Sequence, residues 1–452
     1  MTTSPLTIPA SRDYALHRAR VPAIFLADGA PPDADRDGDG CVLVDMSIAD
    51  GRVTRIAAAD STPPEGALDL GGRQVWPTLV DMHTHLDKGH TVARTPNPDG
   101  SFVSARDATM ADRIGFWDEA DLRRRMTFGL ACAEAHGVGA IRTHLDSNDD
   151  GPHRDQAATS WGVFRELRDA WAGRIALQAV GLVPIDVYAT DHARRLADIV
   201  ATSGGLIGGV TRASGGLHGE PMENIDGLLD RLFALAAERD LDIDLHVDET
   251  GDPAAAALDA VARATLRHGY EGRVTCGHCC SLAVQPPAQA AATIALVAAA
   301  GISIVTLPTV NMYLQDRGAG RTPRWRGVAP VHELIAAGIA VAVAGDNCRD
   351  AFYAYGDHDM LDTLRQAIRI LHFDHPLDLA PGLAGPVPAA AMRLKDTGTI
   401  RVGGPADLII LGCKTLNQMV TRHHADRIVI KRGKPLGATP PSYAQLDASI
   451  AS

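Results

Sequence analysis

Between Val75 and Asn347 the chain alternates short apolar runs with longer stretches whose apolar residues recur at helical spacing. The runs VWPTLVDMHTH, GAIRTHLD, IALQAVGLVP, GLIGGVTR, DIDLHVDE, RVTCGH, ISIVTLP and AVAVAGDN read as eight strands. Intervening pieces such as ENIDGLLDRLFALAAERD and PVHELIAAG read as amphipathic crossover helices. Strand and helix in strict alternation predict a (β/α)₈ TIM barrel over residues 78–397, a fold that gathers its catalytic residues at the C-terminal ends of the strands. Outside that span the pattern changes. VPAIFLAD, CVLVDMSIAD and GRVTRIAAA near the start, and ADLIILGC and RIVIKRGKPL near the end, are short β-type pieces broken by turns such as APPDADRDGDG. Residues 1–77 and 398–452 are therefore expected to form one small β-domain from discontinuous segments.

Composition narrows the classes of function. With 46% hydrophobic and 22% charged residues the 452-residue chain has ample material for a core and no signature of disorder. A formal charge of -12, with no basic run, argues against a nucleic-acid partner, and a small-molecule substrate is expected. The seven cysteines are scattered without paired spacing, which fits a reducing cytoplasm better than a disulfide framework. The N-terminal sequence has no basic region followed by an apolar one, and no eighteen apolar residues run together, so neither export nor a membrane span is expected.

The strand ends carry the chemistry. His83 and His85 close the first run, and because alternate strand residues share a face, they can present two nitrogens to one ion. His246 closes the fifth run and Asp346 the eighth. Three imidazoles and a carboxylate suit one divalent ion, Zn²⁺ or Fe²⁺, with room left for water. Glu249 stands three residues past His246, off the ligand face but still at the mouth, where a carboxyl group could carry protons between water and a leaving nitrogen. A solvated loop glutamate is the plain alternative. Asp346 could accept the water's proton while remaining a ligand. His278, at the end of the sixth run, would either orient the resulting hydroxide or bind the metal directly. GLIGGVTR offers no Lys, Glu or Cys at inward positions to bridge two ions, so one ion is expected. Arg142, His144 and Asp146 share a face of the second run and read as support, and Cys276, Cys279 and Cys280 as wall packing.

HTHLD, RTHLD, DIDLHVDE, ISIVTLPTVNMYLQDR and GDNCRDAFYAYG together resemble the cytosine deaminase family of the amidohydrolase superfamily, through nearly the whole chain. The resemblance implies a distorted (β/α)₈ barrel with a small β-sandwich built from both termini. It makes His83, His85, His246 and Asp346 the metal ligands, Glu249 the proton shuttle and His278 the residue orienting the hydroxide. A single Fe²⁺ or Zn²⁺ would then activate water against an amidine-like ring carbon, and ammonia would leave. Three positions depart from that family. Pro184 stands where it has a glutamine that reads the pyrimidine edge, and Asn347 stands where it has an acidic residue. Lys88 replaces a threonine, as in the N-isopropylammelide amidohydrolases, and would favour a ring carbonyl, an enolate or an attached carboxylate.

Lys88, Pro184, Arg212, Asn347 and Phe352 are accordingly the candidate substrate contacts. Arg212 ends the fourth run, with Arg317, Arg326 and Arg349 in nearby segments; two inward arginines would imply a negatively charged substituent. The expected activity is hydrolytic deamination of a small nitrogen-rich heterocycle. The same attack expelling an alkylamine or sulfur group, or opening a cyclic amide, is the alternative, and a non-catalytic scaffold is the rival from another class. Members of the resembled family are often oligomers, so a homo-oligomer is expected.

Overall fold

The structure, a computed structural model, describes residues 6–149 and 155–447; the five outermost residues at each end of the expected small domain lie outside that range. Two compact units are present: Met1–Val80 with Ala133–Ala140 and Asp359–Pro440, and Asp81–Cys132 with Ile141–His358 and Pro441–Ser452.

In the first unit β1 (Tyr14–Pro22), β2 (Cys41–Ala49), β3 (Arg52–Ala58) and β4 (Leu68–Asp69) form a sheet in the order β3-β2-β1-β4. Its pairings are antiparallel except β1 with β4. The register of β1 slips between Leu16 and Ala19, where Arg18 takes a positive φ of 53°, the mark of a bulge. β5 (Val75–Pro77) puts Trp76, fully buried, against Phe25 at 5.0 Å between ring centroids.

The barrel strands follow. β6 (Leu79–Thr84) is succeeded by two helices, α1 (Phe102–Phe116) and α2 (Glu119–Ala135). Then come β7 (Val138–Asp146) with α3 (Gln156–Ala170), β8 (Ala176–Leu182) with α4 (His192–Thr202), and β9 (Leu206–Val210) with α5 (Ile225–Glu238). β10 (Ile243–Val247) leads to α6 (Ala257–His268), and β11 (Val274–His278) to α7 (Pro287–Ala299). β12 (Ser303–Thr306) precedes α8 (Pro308–Leu314) and α9 (Val331–Ala336), and β13 (Val341–Val343) precedes α10 (Met360–Leu371). The eight strands lie side by side in sequence order, and every pair with a traced register is parallel. Every residue of β6, β7, β9, β10 and β11 is buried, which is why these strands read as continuous apolar runs instead of alternating ones. This is the expected α/β barrel.

Closure of the barrel is slight. β13 is only three residues long, and an isolated parallel bridge between Thr84 and Asp346 joins it to β6. The Asp346 N–H donates to His83 O at 2.7 Å, the Thr84 hydroxyl to Asp346 O at 2.7 Å, and the Gly345 N–H to Asp81 Oδ1 at 3.0 Å.

Back in the first unit, β14 (Leu408–Ile410), β15 (Ile428–Lys431) and β16 (Lys434–Pro435) complete an antiparallel sheet in the order β16-β15-β14-β5. Among the described residues no helix is long and apolar enough to cross a membrane.

Candidate active site

His83 and His85 point from the end of β6 to the same spot, as their spacing requires, and both ring Nε2 atoms lie 3.2 Å from Nε2 of His246 on β10. Asp346 Oδ1 is 3.7 Å from His83 Nε2 and 3.3 Å from His85 Nε2. All four side chains are buried. Gly277 on β11 makes this approach possible: a Cβ there would sit 2.7 Å from His83 Cε1. Positive φ values at His278 (69°), Cys279 (51°), Asp248 (49°) and Asp346 (63°) turn the chain sharply at the strand ends, backbone strain of the kind that collects at functional sites.

The donor set fits a divalent cation. One ring nitrogen carries at most one proton, so His246 Nε2 cannot satisfy two neighbouring Nε2 atoms at once, whereas an ion at the shared centre can. Both carboxylate oxygens of Asp346 are buried and accept no hydrogen bond. Burial, helped by the charge of Lys88, pushes His83 down to about 3 and His85 well below the usual histidine range, leaving neutral imidazoles with free lone pairs. Burial raises the Asp346 carboxyl well above its usual range, Glu249 and Asp350 adding to the effect, so a nearby cation is what would hold it ionised.

Beneath the ligands the support expected from β7 is present. His144 lies against His83, ring centroids 4.0 Å apart, and Arg142 holds Asp244 at 2.8 Å. His83, His144 and Asp244 come close enough to chelate, but the guanidinium already neutralises Asp244. Cys276, Cys279 and Cys280 are buried thiols and join none of the possible metal groups among the described residues.

Glu249 reaches the mouth through Asp248. That residue leaves β10 with a positive φ, and its carboxylate accepts from the Ala257 and Leu258 N–H groups at the start of α6. The turn sets Glu249 Oε1 3.5 Å from His278 Nδ1, within reach of Asp346. Asn311 on α8 ties the group together, its Nδ2 2.9 Å from His278 Nδ1 and donating to Glu249 Oε1 at 3.4 Å. Burial raises the Glu249 carboxyl to about 8, against the opposing charges of Lys88 and Arg212, so near neutral pH it can both give and take a proton.

A cavity of about 270 Å³ opens around Lys88 and Asp146, and its lining includes none of the four candidate metal ligands, Glu249 or His278. Lys88, Pro184, Arg212 and Phe352 line it, four of the five expected contacts. Asn347 does not; its amide donates to Asp350 Oδ2 at 2.7 Å. Nor do Arg317, Arg326 and Arg349. Lys88 Nζ sits 3.0 Å from Asp146 Oδ1, and Arg113 Nη1 donates to Asp146 Oδ2 at 3.0 Å. Arg113 and Arg106, both on α1, were not foreseen; their i, i+7 spacing on one helix face was the available signal. Among the described residues Arg212 has no carboxylate within salt-bridge distance; its Nη1 donates to Ala213 O at 3.2 Å, its Nε is buried without a hydrogen-bond partner, and it faces Phe102 at 5.9 Å.

The profile of the Amidohydrolase family matches residues 207–436. The chain is 48% identical to the pterin deaminase of Rhizobium rhizogenes (strain K84 / ATCC BAA-868) over 452 residues, all of both chains. It is 27% identical to the N-isopropylammelide isopropyl amidohydrolase of Pseudomonas sp. (strain ADP), covering 87% of this chain and 93% of the other. A crystal structure of 5-methylcytosine deaminase from Klebsiella pneumoniae liganded with phosphonocytosine superposes with a TM-score of 0.77 at 25% identity, covering 95% of this chain and 99% of that one.

Proposed function

Starting from a chain that belongs to the amidohydrolase family, we propose that it hydrolyses the exocyclic amino group of a 2-amino-4-oxo-pteridine, releasing ammonia. That it is a heterocycle deaminase, a hydrolase of C–N bonds other than peptide bonds, follows from the family and its relatives. The observation that carries the finer reading is the convergence of Glu249, His278 and Asp346, all within 4.8 Å of one another, beside a cavity walled by Lys88, Arg212 and Phe352.

His83, His85, His246 and Asp346 would hold one divalent ion, Zn²⁺ or Fe²⁺, which when bound supplies the Lewis acidity that makes water acidic near neutral pH. Asp346 takes a proton from the attacking water. His278, steadied by Asn311, orients that water toward the ring carbon. Glu249 gives its proton to the ring nitrogen as the water adds, then carries the proton of the new hydroxyl group to the amine, so that neutral ammonia leaves and a carbonyl remains; the proton held by Asp346 returns to Glu249 and restores both carboxyl groups. Lys88, beside Asp146 and over the Phe352 ring at 5.5 Å, donates to the ring carbonyl, while the flat face of Phe352 packs on the bicycle. Pro184 cannot hydrogen-bond the substrate with its side chain, which leaves Lys88 and Asp146 to read the ring edge. Unpaired Arg212 suits a carboxylate carried on the pteridine.

A panel of pterins, aminopyrimidines and N-alkylated triazines assayed for ammonia tests the proposal. Ammonia from pterins with the ring intact is the expected product; turnover confined to alkylamine release or ring opening would overturn it. The enzyme is expected to work as a homo-oligomer on this small-molecule substrate, with neither nucleic acid nor membrane as partner.

A further inference from the structure

A second group of metal-competent side chains lies apart from the catalytic corner. His90, Cys348 and His358 are buried, and their potential ligand atoms fall within 4.8 Å of one another. His90 is 9% exposed, has a positive φ of 65°, and both its ring nitrogens are buried without a hydrogen-bond partner. An imidazole stripped of water on both nitrogens is destabilised by each unmade bond unless something else binds it. Its neighbours are rings: Phe128 at 4.8 Å, His358 at 5.5 Å and Tyr443 at 6.4 Å between centroids.

We propose that His90, Cys348 and His358 form a second metal site that takes Zn²⁺ as a structural ion. One thiolate and two imidazoles are the soft-to-borderline donors that Zn²⁺ favours. Donors around tetrahedral Zn²⁺ stand roughly 3.3–3.6 Å apart for bonds of about 2.0–2.3 Å, so a shift of about 1 Å or less brings this group onto an ion. Binding breaks the Cys348 S–H bond, forms Zn–S and releases the proton to solvent. With three protein donors, the fourth position of a tetrahedral ion is left to water. The two nearby cations are engaged elsewhere: Arg125 donates to Asp121 and to the Gly89 carbonyl, and Arg349 lies over the Tyr443 ring at 4.3 Å.

The site's place in the fold gives it a purpose. His90 belongs to the loop after β6, which carries His83 and His85; Cys348 and His358 belong to the segment after β13, which carries Asp346. These segments close the barrel, and past the Thr84–Asp346 bridge they meet only through His90 N to Cys348 O at 3.1 Å and Val92 N to Arg349 O at 3.0 Å among the described backbone bonds. An ion there pins the loops on both sides of the seam and holds Asp346 opposite the two histidines.

The test is metal stoichiometry on the full-length protein, with Co²⁺ as a spectroscopic probe after chelation. The wild type is expected to bind about two equivalents of Zn²⁺ per chain, and its Co²⁺ form to show a thiolate-to-metal charge-transfer band in the near ultraviolet. Cys348→Val, and independently His358→Gln should the first fail to fold, is expected to lose one equivalent and weaken or abolish the band. His83→Ala is expected to lose the other equivalent and keep the band, which separates this site from the catalytic one. A wild-type protein that binds one equivalent and shows no thiolate band, or a Cys348→Val protein that still binds two, overturns the proposal.

Discussion

The catalytic corner and the substrate wall lie side by side in one barrel mouth and are built on opposite electrical plans. At the corner, the Nε2 atoms of His83, His85 and His246 crowd together beside the Asp346 carboxylate, whose buried oxygens accept no hydrogen bond, a geometry that an ion completes. On the wall the charges are paired inside the protein, one carboxylate, Asp146, sitting between two cations, Lys88 and Arg113. Arg212 differs, having no carboxylate within salt-bridge distance among the described residues. Under the proposed function the corner would carry the chemistry and the wall the recognition. Substitutions at the corner should act on kcat and substitutions on the wall on KM.

The sharpest separation comes from Glu249→Gln. Glutamine keeps the shape but cannot carry a proton between water and leaving group, so kcat is expected to fall about 10³-fold, within the range typical of a lost general acid–base. Ligation by the four metal residues is untouched, so metal content measured on the same preparation should match wild type. Loss of metal with loss of rate would instead make Glu249 part of the ligand set and break the division between corner and wall.

Next in size is Lys88→Met, which keeps the aliphatic stem over Phe352 and removes the ammonium group. Loss of one charge-assisted hydrogen bond to the substrate is expected to raise KM about 10- to 100-fold, with a smaller change in kcat. A drop confined to kcat would move Lys88 from the wall to the corner. Arg212→Met should be subtler and selective: about a tenfold rise in KM for a pteridine bearing a carboxylate, and little for one without. Equal effects on both substrates would leave the unpaired guanidinium with no role in choosing among them.

The same division explains what could be read from the amino acids. Corner residues sit on strands or directly beyond them, where the two-residue repeat and the apolar run before each one announce both strand and ligand. His83 and His85 needed no tertiary information to be paired. Glu249 was harder, because its position depends on the left-handed turn at Asp248 and on that residue capping α6, neither of which a local pattern reveals. Wall residues are mostly set by tertiary packing. Arg106 and Arg113 arrive on a helix inserted after β6, and Asp146 becomes a wall residue only because Lys88, from another strand's loop, pairs with it. Asn347 shows the converse: adjacency to a ligand suggested the pocket, but its amide is already engaged by Asp350. The Cys348 thiol was invisible for the same reason, since His90 and His358 join it only when the barrel closes.

The smallest expected effect concerns acid stability. Burial alone would raise the Asp146 carboxyl, but Lys88 and Arg113, both charged and both bonded to it, outweigh burial and hold it below the usual carboxylate range. Lys88 in turn is held above its usual range, for although burial lowers it, Asp146 and Asp87 more than compensate. A carboxyl more acidic in the folded than in the unfolded chain stabilises the fold above the unfolded value, about 3.9, and that stabilisation is lost as pH falls through the folded value. Asp146 and Lys88 should thus keep their charges through neutral pH, whereas Asp87, which burial raises to about 7, titrates beside them. Unfolding followed by circular dichroism below about pH 4 should show an acid limb that Asp146→Asn makes shallower, because the substituted amide has no proton to gain. An unchanged slope in the variant would mean that Lys88 and Arg113 do not hold the Asp146 carboxyl below its usual range.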